Sequence, residues 1–247
     1  MPEVNTEKLP DVFILCGGQG TRFREVREDI PKALAPINGK PFIDLLLDNL
    51  VEQGCQRIIL GTGYLSEQLE EHVKQRDDAD YLISRETQPL GTGGAIRHAL
   101  PLIQSEQILV LNGDSFINFS VYTLMKFHKV QQADATILLS SATTGHDYGN
   151  VEIDANYQVL SFQEKPKDAL APLINAGVYC LQKNLVNDEP EGAKISLEQD
   201  SLPKWAALQV LYGLKTEEPF YDIGTLERFQ LAQKRLGKDR KSSAKDK

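Results

Sequence analysis

Cysteine is scarce in this 247-residue chain: three residues, Cys16, Cys55 and Cys180, with no C-x-x-C spacing. An odd, scattered set excludes a disulfide framework and a zinc site, and reads as small buried apolar groups in a reducing compartment. The four histidines, His72, His98, His128 and His146, have no metal-ligand spacing such as H-x-x-x-H. Aromatics are 7% of residues, with a single tryptophan, Trp205, and they form no stacking pattern beyond ordinary core packing. No apolar run approaches the ~18 residues of a membrane helix. The first ten residues, MPEVNTEKLP, lack the apolar stretch of a signal peptide. Positive charge is also short: 27 Lys and Arg against 35 Asp and Glu leave a net charge of −8. Phosphate backbones demand the opposite balance, so a nucleic-acid partner is disfavoured. A cytoplasmic protein with no membrane partner is expected.

What is present is an average globular composition, 41% hydrophobic and 25% charged, with room for one large α/β domain. The charge is uneven. Seven Lys or Arg against two Asp in residues 234–247 put +5 in the tail and −13 in the rest. Along the chain, short apolar runs alternate with segments of helical period. Strands are expected at Val12–Cys16, Arg57–Leu60, Asp80–Ser84, Gln107–Leu111 and Ala135–Ser140. Helices are expected at Phe42–Gln53, Ser66–Lys74, Ala95–Ile103 and Ser120–Gln131. Such alternation builds parallel strands with helices on both faces. After about residue 145 the rhythm becomes more antiparallel. A hairpin is expected over Asn150–Ile153 and Val159–Gln163, with strands at Ile174–Leu181, Val210–Lys215 and Phe220–Ile223. Helices are expected at Ser196–Leu208, despite Pro203, and at Thr225–Leu236. Residues 1–236 read as a single catalytic domain and 237–247 as a disordered basic tail.

The first strand runs into Leu15-Cys16-Gly17-Gly18-Gln19-Gly20-Thr21-Arg22. Glycine lets a backbone approach a ligand closely, and successive N–H groups in such a turn can cradle phosphate. The Gly-Gly-x-Gly spacing fits neither the dinucleotide fingerprint nor a Walker loop. Ten residues after Arg22, Pro31-Lys32-Ala33-Leu34-Ala35-Pro36 holds a lysine between two prolines that restrict its backbone.

Taken with Asn38-Gly39-Lys40-Pro41, these strings resemble the signature of the sugar-phosphate nucleotidyltransferases, or nucleoside-diphosphate-sugar pyrophosphorylases. Further segments follow in family order: Gln88-Pro89-Leu90-Gly91-Thr92-Gly93-Gly94, Leu111-Asn112-Gly113-Asp114, Tyr148-Gly149-Asn150-Val151, Glu164-Lys165-Pro166, Asn175-Ala176-Gly177 and Asp222-Ile223-Gly224-Thr225. The resemblance covers roughly residues 11–235. It implies a Rossmann-like three-layer α/β sandwich with a mostly parallel mixed central sheet, the nucleotide-diphospho-sugar transferase fold. Cys16, Phe23 and Ala33 depart from the family's usual Ala, Leu and Pro, and none of these changes removes a charged or ligating group.

The reaction implied is attack of a sugar 1-phosphate oxygen on the α-phosphate of an NTP, with loss of pyrophosphate. Such chemistry needs charge neutralisation and in-line positioning more than a nucleophilic side chain. By resemblance, Arg22 contacts the leaving phosphates and Lys32 the α-phosphate. Leu15, Gly17, Gly18, Gly20 and Thr21 shape the cradle, and Gln88, Gly91, Thr92 and Gly93 hold the base. Asp114 and Asp222 are the expected Mg²⁺ carboxylates. Lys165 meets the sugar's phosphate, and Glu164, Asn112, Gly149 and Asn175 meet the sugar. Glu198, in Ser196-Leu197-Glu198, either contacts sugar or caps a helix. Within the family the segment 20–42, the segment 89–96 and the short length are most similar to the D-glycero-D-manno-heptose 1-phosphate guanylyltransferases. GTP and that heptose 1-phosphate are therefore the expected substrates. Gln88 has one acceptor oxygen, whereas a carboxylate accepts both guanine N1–H and N2–H, so Gln88 does not itself dictate the base. A mannose- or other hexose-1-phosphate nucleotidyltransferase is the alternative enzyme, and an inactive regulatory relative the alternative of another kind. The sequence leaves room for a homo-oligomer without requiring one.

Overall fold

The computed structural model describes residues 8–18, 30–63, 65–141, 148–164 and 172–243, with side chains up to 236. Its strands are β1 (Asp11–Leu15), β2 (Pro36–Ile37), β3 (Lys40–Pro41), β4 (Arg57–Thr62), β5 (Asp80–Arg85), β6 (Gln107–Asn112), β7 (Ser115–Ile117), β8 (Ala135–Ser141), β9 (Asn150–Ile153), β10 (Val159–Gln163), β11 (Leu173–Gln182), β12 (Leu211–Thr216) and β13 (Phe220–Asp222). The α-helices are α1 (Phe42–Glu52), α2 (Ser66–Lys74), α3 (Gly91–Ala99), α4 (Val121–Val130), α5 (Lys183–Asn187), α6 (Leu202–Ala207) and α7 (Leu226–Ser243).

The large sheet follows the order β10-β9-β11-β6-β1-β4-β5, and β8 joins it by pairing with both β11 and β12. The strands β6, β1, β4 and β5 are mutually parallel, β12 runs parallel to β8, and β11 runs antiparallel to both β6 and β8. This is the mixed, mostly parallel sheet expected from the sequence. Alternation along the strands divides the core in two. Val12, Ile14, Ile58, Leu60, Leu109 and Leu111 face α1, α2, α4 and α7, whose Leu47, Leu69, Leu124 and Phe229 fill that side. Phe13, Ile59, Ile108 and Val110 face the other side, against Ile96 of α3 and Leu202 and Trp205 of α6. The central strands are buried on both faces, which is why they read as unbroken apolar runs.

Several boundaries differ from the expectation. Helix α3 begins at Gly91 rather than Ala95 and ends at Ala99, where Leu100–Leu102 tightens into a 3₁₀ turn around Pro101. The segment expected as one helix from Ser196 is a π-helical turn, Leu197–Ser201, followed by α6 with Pro203 in its first turn, where proline's missing N–H costs nothing. Helix α7 continues to Ser243, through the first part of the stretch expected to be disordered. That stretch is rich in Lys and Arg, which are good helix formers and favour a helix C-terminus. Among the described residues no helix is long and apolar enough to cross a membrane.

Candidate active site

Strands β1, β4, β5 and β6 all end at the same edge, the edge at which open α/β sheets bind ligands. The glycine turn leaves β1 there. It is tied down on both sides: Cys16 N–H donates to Gly61 O at 2.9 Å, and Gly113 N–H donates to Leu15 O at 3.0 Å. Gly113 has no space for a side chain, since a Cβ would lie 2.7 Å from both Cys16 Sγ and Leu15 O. Burial and the nearby Asp114 charge push the Cys16 thiol far up, so it stays protonated and chemically quiet. Gly18 is exposed, with open space where a Cβ would stand. Gly20, Thr21, Arg22 and Lys165 lie outside the described residues.

Asp114 follows β6 directly and precedes the short β7. β7 pairs antiparallel with β13 so that Ser115 stands opposite Asp222, and Ile223 N–H donates to Asp114 O at 3.0 Å. This two-stranded ribbon brings together two carboxylates that are 108 residues apart in sequence. Lys32 joins them from its 3₁₀ turn, with Nζ 2.6 Å from Asp114 Oδ2. A Cβ on Gly224 would lie 2.8 Å from Asp222 Oδ1 and 3.9 Å from Lys32 Nζ, so the three charged groups share one small volume. Asp222 is closely held. Its Oδ1 accepts from Gly224 N–H at 2.8 Å and lies 3.4 Å from an Arg228 nitrogen, and its Oδ2 accepts from the Tyr148 hydroxyl. The Arg228 guanidinium also stacks over the Tyr148 ring, 4.6 Å from its centroid.

Two carboxylates do not make a protein-only cage, and among the described residues no group of three or more His, Cys, Asp or Glu could hold a metal. They do suit a hard cation that takes most of its oxygens from phosphate and water. Asp114 is half-exposed and pairs with Lys32 through Oδ2.

The expected sugar residues gather beside this cluster. β11 carries an irregularity between Asn175 and Tyr179, where Gly177 takes a φ of +69° and lets the strand pass Asn112 and Ser115. Asn175 Nδ2 donates to Tyr179 Oη at 2.7 Å, while its Oδ1 accepts from Gly177 N–H at 2.8 Å. Asn112 also hydrogen-bonds the Tyr179 phenol, and its own Oδ1 is buried without a partner among the described residues. Burial, then the charges of Glu198 and Glu164, hold the Tyr179 phenol well above its ordinary range, so it is a neutral hydroxyl. Gly149 O accepts from Asn175 N–H at 2.9 Å, and a Cβ at Gly149 would lie 3.0 Å from Glu164 Oε2.

The expected base segment divides. Gln88 is exposed. Glu86, two residues earlier and not singled out by the sequence reading, is half-buried instead. Its Oε2 accepts from Leu90 N–H at 2.9 Å, and its Oε1 would stand 2.8 Å from a Cβ at Gly17. Burial raises its carboxyl above the ordinary range, with the Leu90 bond opposing. A lone carboxylate in the connection just before the glycines was the available signal. Gly93 and Gly94 N–H groups donate to Ile195 O at 2.9 and 3.2 Å, so α3 opens against the 193–195 backbone.

Comparisons with known proteins match nearly the whole chain. The nucleotidyl transferase family model matches residues 12–238. The chain is 35% identical over 227 residues to the D-glycero-α-D-manno-heptose 1-phosphate guanylyltransferase of Aneurinibacillus thermoaerophilus, covering 92% of this chain and 98% of that relative. It is 36% identical over 221 residues to the enzyme of the same name from Campylobacter jejuni, covering 88% and 96%. HddC from Yersinia pseudotuberculosis superposes with a TM-score of 0.82 at 33% identity, over 92% of this chain and 100% of that one. HddC has also been solved in complex with GMP-PN, and that structure superposes with a TM-score of 0.81. The matched span contains the glycine turn, Lys32 and both strand-end carboxylates, and on that ground the chain belongs to the nucleotidyl transferase family.

Proposed function

We propose that this protein transfers GMP from GTP to D-glycero-D-manno-heptose 1-phosphate, forming the GDP-sugar and releasing pyrophosphate. The observation that carries the reaction class is the meeting of Lys32, Asp114 and Asp222 beside the glycine turn. That set is built for phosphate charge. It offers no activated nucleophile, and phosphoryl transfer needs none. Two relatives named for the heptose reaction, and the GMP-PN complex of HddC, support guanine and heptose as the substrates.

In this reading a phosphate oxygen of the sugar attacks the α-phosphorus, the bond to the bridging oxygen breaks, and the electron pair leaves on pyrophosphate. Lys32 leaves Asp114 to meet the α-phosphate, where its charge offsets the charge building on the equatorial oxygens. Asp114 and Asp222 would hold a Mg²⁺ ion, which when bound neutralises the triphosphate. Arg22 contacts the leaving phosphates and Lys165 the sugar's phosphate. Asn112, Asn175, Gly149 and Glu164 line the sugar, the buried Asn112 Oδ1 offering an acceptor for a hydroxyl. Glu86, set between the glycine turn and α3, is placed to accept from the guanine edge.

The test is a pyrophosphate-release screen with Mg²⁺. It crosses GTP, CTP, UTP, dTTP and ATP with heptose, mannose and other hexose 1-phosphates. GTP with the heptose 1-phosphate should give the highest kcat/KM. Preference for mannose 1-phosphate would move the protein to the hexose branch, and no turnover in any pair would make it a non-catalytic relative. Asp114→Ala and Asp222→Ala should each abolish turnover, and survival of activity in both would overturn the metal assignment.

A further inference from the structure

Thr92 lies in the glycine segment assigned above to the nucleotide, yet its hydroxyl is turned elsewhere. Oγ1 accepts from Leu197 N–H at 2.7 Å and donates to Glu198 Oε2 at 2.6 Å. A threonine hydroxyl has one proton. With that proton on Glu198, Thr92 has none to offer a base or phosphate. The neighbouring glycines serve the same junction. A Cβ on Gly91 would strike Ile195 O, and one on Gly94 would lie 2.6 Å from Ala193 O. Ile195 N–H returns a bond to Leu90 O at 2.8 Å. The absence of side chains at the start of α3 therefore admits the 193–198 segment.

What that segment delivers is Glu198. Ser196 Oγ lies 3.2 Å from the same Oε2, so this oxygen has two donors. Oε1 has no partner among the described residues. Glu198 sits in the π-helical turn Leu197–Ser201, a rare geometry that is frequent at functional sites. The turn is fixed at its start by Ser196, which accepts from Gln199 N–H at 3.1 Å and donates its own N–H to Asp200 Oδ2 at 2.8 Å. The Glu198 carboxylate is also near enough for its charge to act on the Tyr179 phenol, the hub that Asn175 and Asn112 contact. A carboxylate with one oxygen held by two hydroxyls and the other without a partner among the described residues is suited to accept from a polyhydroxylated ligand.

We propose that Thr92 is a positioning residue for the sugar rather than a nucleotide contact: it orients Glu198 so that Oε1 accepts a hydroxyl of the sugar 1-phosphate. The proposal rests on the sugar-1-phosphate reading above. A carboxylate held in place before the ligand arrives loses less rotamer freedom on binding, and that difference appears in the affinity for the sugar.

The experiment measures KM for the sugar 1-phosphate and, by calorimetry, Kd for GTP, in Thr92→Val, Thr92→Ser, Glu198→Gln and the double variant Thr92→Val/Glu198→Gln. Thr92→Val should raise the sugar KM about ten- to hundredfold, the range for a charged hydrogen bond, and move the GTP Kd less than twofold. Thr92→Ser, which keeps the hydroxyl, should restore most of the loss. The double variant should be no worse than Glu198→Gln, because both changes act through one contact. A weakened GTP Kd with an unmoved sugar KM would return Thr92 to the nucleotide and overturn the proposal. So would additive losses, or no effect on either substrate. Should Thr92→Val fail to fold, Glu198→Gln decides: it must raise the sugar KM and leave GTP binding alone. A wild-type protein inert with every substrate pair would sink the parent reading and this inference together, whereas an active wild type with unaffected variants would sink this inference alone.

Discussion

Glu86 and Gln88 show where residue-level reading succeeds and where it stops. The motif pointed to the segment around Gln88, and the chemical argument that guanine prefers a carboxylate was available from the donor pattern alone. Which residue faces the site was not available, because the segment is an irregular connection after β5 in which no periodicity assigns faces. The structure turns Gln88 outward and sets Glu86 against Gly17 and the Leu90 N–H. Lys32 was legible because two prolines marked it, whereas Tyr179 was not, since a tyrosine in an apolar strand reads as core. If Glu86 accepts from guanine N2–H, the wild-type protein discriminates GTP from ITP, which lacks that amino group. Glu86→Gln removes one acceptor and the negative charge. Its kcat/KM for GTP should fall about tenfold or more, and the GTP-over-ITP preference should collapse, since hydrogen bonds to charged groups are worth about 1.5–3 kcal/mol. Competition kinetics with the two nucleotides checks both numbers. An undiminished preference in the variant would remove Glu86 from base recognition.

At the scale of elements, the parallel strands and long helices were legible because their apolar periods are strong and local. The ribbon that forms the carboxylate pair was half legible: a strand was expected at Phe220–Ile223, where β13 lies, but β7 and the pairing between them were not expected. β7 and β13 are three residues each, and each exists as a strand only through a partner about 100 residues away. The π-helical turn at Leu197 is set by tertiary docking onto α3, which no local pattern announces. One element carries a polar group that its period would not explain: His128 on α4 is fully buried against β8, with Nδ1 2.8 Å from Thr136 Oγ1. Its Nε2 has no partner among the described residues. Burial lowers its pKa from 6.5 to about 4. Above pH 6.5 the ring is neutral in both states and the fold carries no penalty. Between pH 6.5 and about 4 the unfolded chain takes up a proton that the folded chain refuses, so stability falls. Below about 4 both states are protonated and this contribution stops changing. The loss amounts to roughly 3 kcal/mol at most. His128→Leu should therefore flatten this part of the acid limb. Urea unfolding of both proteins at pH 7.5 and pH 4.5 should show the wild type losing more stability than the variant, and equal losses would mean that His128 titrates normally in the fold.

For the whole molecule, net charge is a poor description of the site. A chain of −8 is unsuited to nucleic acid, but Lys32 and the N–H groups of the glycine turn give one sheet edge a local character suited to phosphate. That edge is assembled from segments spanning residues 15 to 224 and sits where both core layers end. No part of it is formed in the unfolded chain, so a ligand that bridges these segments binds the folded state alone and adds its binding free energy to stability. At a free concentration of 100 times its Kd, Mg²⁺·GTP should contribute about 2.7 kcal/mol, which for a chain of this size raises Tm by about 5–10 °C. CTP at the same concentration should give a clearly smaller shift if the base is read, and Asp114→Ala should remove the part of the GTP shift that depends on Mg²⁺. Differential scanning calorimetry across the five nucleotides measures this without any sugar present, so it separates recognition of the nucleotide from that of the acceptor. Equal shifts for all five would mean that the site reads the triphosphate and not the base, leaving specificity to the acceptor.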